Sequence, residues 1–196
     1  MITDEKRVMT QPDIPHAEPK MGKVAVIYTT PETVIDDYAR LLDLADCQTA
    51  LTPNIETFLK VNISWQHYYP ACSSAPWQID GVAQKLQADG FDKLTAAHNG
   101  TVVVNADEGR EKNKHGVVED RLGLKHVVLD APPMKWIPYK PTAKMLVLDD
   151  IYKDGLYIPE AFPGTNIVQL PTVKTHVFTT MTGAMKNAFG GLLHRY

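Results

Sequence analysis

"TFLKVNISWQHYYPACSSAPWQIDGVAQKLQADGFDKLTAAH", Thr57 to His98, places a segment of helical character between two short apolar runs. The first run, "TFLKVNISW" (Thr57–Trp65), reads as a strand, and the polar loop "QHYYPACSSAP" follows it. "WQIDGVAQKLQADG" reads as a helix closed by Gly90, since glycine enters the left-handed conformation of a helix C-cap without a Cβ clash. "DKLTAAH" then reads as a second strand. A strand, a helix and a strand in this order are the alternation of an α/β sheet covered by helices.

The same alternation extends in both directions. Upstream, "GKVAVIYT" (Gly22 to Thr29) has the β-branched content of a buried strand. "TPETVIDDYARLLDLADC" follows, with Thr30 as N-cap and Pro31 at the first helical position. Its apolar residues Val34, Ile35, Tyr38, Leu41, Leu42 and Ala45 recur at helical intervals. Downstream, "NGTVVVNADEGREKNKHGVVEDRLG" reads as loop except for a helix over Gly116 to Leu122. "KHVVLD" (Lys125 to Asp130) and "AKMLVLDD" (Ala143 to Asp150) read as strands around a proline-rich excursion, and "TNIVQLP" (Thr165 to Pro171) as the last strand. The expected fold is α/β, a mostly parallel sheet covered by helices, in a single domain over 22–196. The polar, proline-punctuated residues 1–21 read as a flexible arm.

A chain of 196 residues suits one domain with its own core. A formal charge of −3 supplies no basic excess for a nucleic-acid partner. No apolar run approaches the length of a membrane span and no signal-peptide core opens the chain, so a cytoplasmic location is expected by default. Cys47 and Cys72 make neither a disulfide framework nor a Cys-x-x-Cys pair. Cys47 reads as packing at a helix end; Cys72, in a polar loop, reads as structural or as a ligand or reactive thiol.

The densest chemistry lies in "LPTVKTHVFTTMTGAMKNAFGGLL", Leu170 to Leu193. Laid on a helix from Thr175, its residues Val177, Phe178, Met181, Ala184, Met185, Ala188, Phe189 and Leu192 form one buried stripe. His176, Thr179, Thr180, Gly183, Lys186, Asn187 and Gly190 form the opposite face, which holds no acid. Such a face suits an anionic group or a closely packed backbone; a core helix with a merely wet side is the other reading. In parallel sheets, ligands sit at the carboxyl ends of strands. Three polar clusters fall there: Lys60 to Asn62 running into the Cys72 loop, His98-Asn99-Gly100, and Lys174-Thr175-His176.

"FLKVNISW", with the "SSAPWQIDGVAQKLQADGFDKLTAAHNG" that follows its loop, resembles the opening of the domain of unknown function 362. "NIVQLPTVKTHVFTTMTGAMKNAFGGL" resembles that family's most recognisable block, at Lys174, Thr175, His176, Thr182, Gly183, Lys186, Asn187 and Gly190. The resemblance runs from about Lys60 to the C-terminus. Relatives often carry ferredoxin-like cysteine motifs and an iron–sulfur label, which this sequence, lacking the motif, does not inherit. Members also tend to continue beyond the Gly-Gly block, so the resemblance implies a domain incomplete at its C-terminus. A more remote resemblance, at His176 and the Lys186 to Gly191 segment, is to the nickel-pincer lactate racemases; it assigns no nickel here.

The preferred reading is a site for a phosphate- or carboxylate-bearing substrate or cofactor of unknown identity. His176 and Lys186 are the catalytic candidates; Lys60, Asn62, Lys174, Thr175, Thr182, Gly183, Asn187 and Gly190 are the binding candidates. His176, expected at a helix N-terminus, would be kept neutral by the dipole. A metal- or iron–sulfur-associated module for electron transfer would need Cys72, His98 and His176 to converge. A non-catalytic scaffold or inactive product is the third alternative. The charged run 105–116 reads as a mobile loop or a lid with Gly109 and Gly116 as hinges. Trp65, His67, Tyr68 and Tyr69 could stack on a planar ligand, and Asp149 and Asp150 could hold a cation or cap a turn. Partners expected are a small anion, no nucleic acid, no membrane, and a second copy if the apolar stripe is exposed.

Overall fold

The computed structural model describes residues 22–100, 104–142 and 145–192, with side chains described to residue 190. The expected arm, 1–21, lies outside the described residues.

The chain forms α1 (Val34–Leu44), α2 (Cys47–Ala50), β1 (Thr57–Val61), α3 (Pro76–Ala88), β2 (Leu94–His98), α4 (Ala106–Lys112) and α5 (His115–Arg121). It continues through β3 (Lys125–Val128), β4 (Trp136–Tyr139), α6 (Leu148–Ile151), β5 (Leu156–Pro159), β6 (Asn166–Leu170), β7 (Lys174–His176), β8 (Thr180–Thr182) and α7 (Ala184–Leu192). The central sheet has the order β3-β2-β1-β6, and every pairing in it is parallel. This is the α/β architecture that the Thr57–His98 segment announces. Every residue of β1 and β2 is buried, which explains their unbroken apolar runs: a parallel strand covered on both faces has no wet side to alternate with.

Successive side chains of a strand point to opposite faces, and β1 divides the core accordingly. Leu59 and Val61 join Ile79, Val82 and Leu86 of α3, with Leu42, Phe91 and Leu124, in the larger cluster. Phe58 packs with Ala97, Leu129 and Phe162 in the smaller one, its ring meeting that of Phe162 edge-on at 5.4 Å between centroids. Lys60 shares the face of Phe58 by the same alternation. Helices α1 and α3 cross at Gly81, where a Cβ would stand 2.7 Å from Tyr38 Cβ and 3.0 Å from the Ile35 carbonyl oxygen.

The structure corrects several expectations. Residues 22–29 form no strand: Val24, Val26 and Tyr28 are 85%, 79% and 96% exposed, because β-branched character becomes a strand only where a sheet edge accepts it. Helix α1 begins at Val34 after a turn at Pro31–Thr33, with Thr33 rather than Thr30 as N-cap. The expected loop before Gly116 contains α4, whose first turn Asn105 caps by accepting from the Glu108 N–H at 2.9 Å. In "AKMLVLDD", residues 143–144 lie outside the described residues, and 145–150 hold bends and the start of α6 instead of a strand. The proline-rich excursion contains β4, which pairs antiparallel with β5.

The largest correction concerns the C-terminal run. No helix begins at Thr175. Residues 174–182 form the β7–β8 hairpin, with Lys174 opposite Thr182 and His176 opposite Thr180. Helix α7 starts only after Gly183. The stretch is rich in threonine, valine and phenylalanine, which lose side-chain freedom in a helix and favour strands. The stripe expected to be buried is therefore open: Val177, Phe178 and Met185 are 92%, 90% and 89% exposed.

Gly81→Ala should destabilise the fold by about 1–3 kcal/mol, because the added methyl meets backbone as well as a Cβ. Urea denaturation followed by circular dichroism measures this, and an unchanged midpoint would contradict the close crossing of α1 and α3.

Candidate functional site

A cleft of about 140 Å³ opens where the carboxyl ends of β1 and β2 meet the β8–α7 junction. Its walls carry Lys60 and Asn62 from β1 and its continuation, Asn99 and Gly100 after β2, and Thr182, Lys186, Asn187 and Gly190 from the C-terminal run. The Asn187 side chain ties α7 to the sheet. Its Nδ2 donates to the Lys60 carbonyl at 2.8 Å and to Gln169 Oε1 at 2.9 Å, linking α7 to β1 and β6. Buried amides are stable when so satisfied, which makes Asn187 a strut of the site.

A second set of bonds shapes the β1 end. Lys174 Nζ donates to Asn62 Oδ1 at 2.6 Å, and Asn62 Nδ2 donates to Ser64 Oγ at 3.1 Å. The Asn62 amide donates to Ser74 Oγ at 2.8 Å, and the Ser74 hydroxyl donates in turn to the Leu170 carbonyl. The Cys72 loop is thereby fastened between β1 and β6. Across the cleft, the Gly100 amide donates to Asp130 Oδ1 at 2.7 Å.

The electrostatics centre on Lys60. It is 4% exposed, and among the described residues its ammonium reaches only the Val61 carbonyl, at 3.4 Å. Burial pushes its pKa down from 10.5 to about 8, against the opposing pull of the Asp130 charge. Burial also lowers the pKa of Lys174, with the charge of Lys186 adding to the effect against Cys72, which raises it. Two acceptors in the cleft wall, Asn99 Oδ1 and Thr182 Oγ1, are buried without a hydrogen-bond partner among the described residues.

Of the residues singled out in the sequence, Lys60, Asn62, Thr182, Lys186, Asn187 and Gly190 share this cleft. Lys174 joins them through Asn62, and Gly183 accepts from the Asn187 amide at 3.0 Å. Thr175 and His176 lie instead along a separate open hollow with Val177 and Phe178. His176 is not at a helix N-terminus, and the dipole argument for it lapses. Its Nδ1 accepts from the Phe178 and Thr179 amides at 3.2 and 3.3 Å, bracing the hairpin turn.

Cys72, His98 and His176 are not brought together as metal ligands among the described residues. His98 is buried against His126, with Nε2 atoms 3.1 Å apart, and burial followed by the neighbouring His126 pushes its pKa down to about 3. Among the described residues, no group of three or more His, Cys, Asp or Glu side chains is arranged to hold a metal ion. The supposed lid is packed: a Cβ at Gly109 would lie 2.6 Å from Ile63 Cγ2, and Arg110 pairs with the buried Glu119 at 2.5 Å. Asp149 and Asp150 are exposed in the first turn of α6. Asn99 and Gly100 come from the His98-Asn99-Gly100 cluster that the sequence places at a strand end, whereas Asp130 was read only as the end of a strand.

A family model described as a domain of unknown function (DUF362) matches residues 57–196. The chain belongs to this family. The match begins at the first residue of β1 and takes in every residue of the cleft. No curated protein and no solved structure matches the chain. No described helix is long and apolar enough to cross a membrane.

The Lys60 pKa has a consequence for stability. Between about pH 8 and 10.5 the unfolded chain holds a proton that folded Lys60 has released, so stability rises with pH across this window. Below it the full cost of the buried charge is present. Lys60→Met should therefore stabilise the protein by on the order of 2–3 kcal/mol at pH 7 in anion-free buffer, with the gain shrinking toward pH 10. Denaturant midpoints of both proteins across this range provide the check.

Proposed function

We propose that DUF362 residues of this chain form a binding site for a small phosphate- or carboxylate-bearing substrate or cofactor. The observation that carries the reading is Lys60, a buried ammonium with no carboxylate in ion-pair contact among the described residues. Burying a charge without a counter-ion is costly, and a site that does so is a candidate for a ligand of opposite sign. Among the described residues the cleft wall supplies a second cation, Lys186, and no Asp or Glu. Lys186 lies in the first turn of α7, which carries no acidic side chain to neutralise the positive end of the helix. The Thr182 hydroxyl adds a donor. In this reading Lys60 and Lys186 hold charge, while Asn187 and Asn62 keep the walls in position.

Thermal melting against inorganic phosphate, pyrophosphate, pyruvate and oxalate tests the proposal. A ligand at a hundredfold excess over its Kd stabilises the fold by about 2.7 kcal/mol. Lys186→Ala and Thr182→Val should each weaken that ligand by about tenfold or more, as loss of a hydrogen bond to a charged partner does. His176→Ala should leave it unchanged; loss of binding in that variant alone would move the anion to the hairpin. No shift with any anion would leave the scaffold reading standing.

A further inference from the structure

We infer that Lys60 is a carbonyl-capturing amine, forming an imine with a small 2-oxo acid whose carboxylate is held by Lys186. The inference rests on the anion-site reading and names the ligand class within it.

The geometry separates the two lysines. Lys60 leaves a fully buried strand of the sheet and lines the cleft, whereas half-buried Lys186 stands on α7 at its wall. Among the described residues the Lys60 amine has no carboxylate in ion-pair contact, only the more distant charge of Asp130, and its hydrogen bond to the Val61 carbonyl is long at 3.4 Å. Lys174 is the internal contrast: its amine is committed to Asn62 Oδ1 at 2.6 Å. A cleft of about 140 Å³ suits a ligand of a few heavy atoms carrying one carboxylate beside its reacting carbon.

The cleft also holds groups suited to the addition step. Neutral Lys60 Nζ attacks the carbonyl carbon, the C–N bond forms, and the π pair moves to oxygen, which takes a proton from nitrogen to give a carbinolamine. The C–O bond then breaks, water leaves with the second nitrogen proton, and C=N forms; nothing is oxidised or reduced. The unpartnered Thr182 hydroxyl is available to donate to the carbonyl oxygen, and Asn99 Oδ1 to accept from the carbinolamine hydroxyl. An amine with a pKa of about 8 has roughly two orders of magnitude more neutral form at pH 7 than an ordinary lysine, which gives the attacking species without a separate base.

The test is reductive trapping. The full chain is incubated with pyruvate and cyanoborohydride, digested, and each lysine-containing peptide quantified by mass spectrometry. The expected result is a carboxyethyl group on Lys60 at about tenfold or more the occupancy of any other lysine, Lys174 included. Excess phosphate and Lys186→Ala should each suppress it, and acetone, a carbonyl of similar size without the carboxylate, should label Lys60 poorly. Lys60→Arg keeps the cation and should retain the anion-induced melting shift while losing the adduct. A pyruvate-induced melting shift with no adduct on Lys60 would overturn the imine and leave the anion site standing. Absence of both the adduct and any anion-induced shift would overturn both readings. Labelling spread evenly over surface lysines would overturn the imine.

Discussion

Complete burial of β1 is the constraint from which the remaining organisation follows. The strand pairs in parallel with β2 on one side and with β6 on the other, so its backbone is satisfied within the sheet. Both faces must then be covered. The face of Leu59 and Val61 receives α3 and its neighbours; the face of Phe58 receives Phe162 and Leu129. The consequence for chemistry is that Lys60, two residues beyond Phe58, is carried into the interior by the pleat. There it is 4% exposed and lines the cleft at the carboxyl end of the strand.

The cleft is assembled from segments far apart in the chain, and a few side-chain amides do the joining. Asn187 spans the gap from α7 to β1 and β6, while Asn62 receives Lys174 from the hairpin. Asn166, at the other end of β6, donates to the Thr52 carbonyl and Thr57 Oγ1, both at 2.9 Å, anchoring β6 where the sheet begins. The Asn187 and Asn166 bonds fix positions without adding charge, whereas Asn62 holds the ammonium of Lys174. The charge of Asp130 offsets only part of what burial does to Lys60, whose pKa stays below that of an ordinary lysine.

Beneath the β2 end of the cleft lies a second polar group of different character. His98 contacts His126, whose Nδ1 lies 3.4 Å from Glu119, and Glu119 pairs with Arg110. Burial pushes the Glu119 carboxyl up, and the hydrogen bonds from His126 and Arg110 together outweigh it, holding the group below the usual carboxylate range. His115 reaches the Ser74 carbonyl at 2.7 Å, tying α5 to the loop that follows β1. The charged run that reads in sequence as a mobile loop is therefore a packed and ion-paired layer.

The sequence by itself determined the α/β class, a mostly parallel sheet, and the residue types of the cleft, because continuous apolar runs and the Lys-x-Asn and Lys-Asn spacings are local properties. It was ambiguous wherever a local pattern fits two structures. Residues 174–182 combine helical apolar spacing with strand-forming residue types, and only pairing of Lys174 with Thr182 across the hairpin decided between them. Residues 22–29 have strand composition and no strand, since composition cannot supply a partner edge. The tertiary structure alone decided that Lys60 and Lys186 share a cleft while His176 braces a turn beside it. Those placements depend on how α7 docks on β1 through Asn187, a contact between residues 127 positions apart that no periodicity encodes.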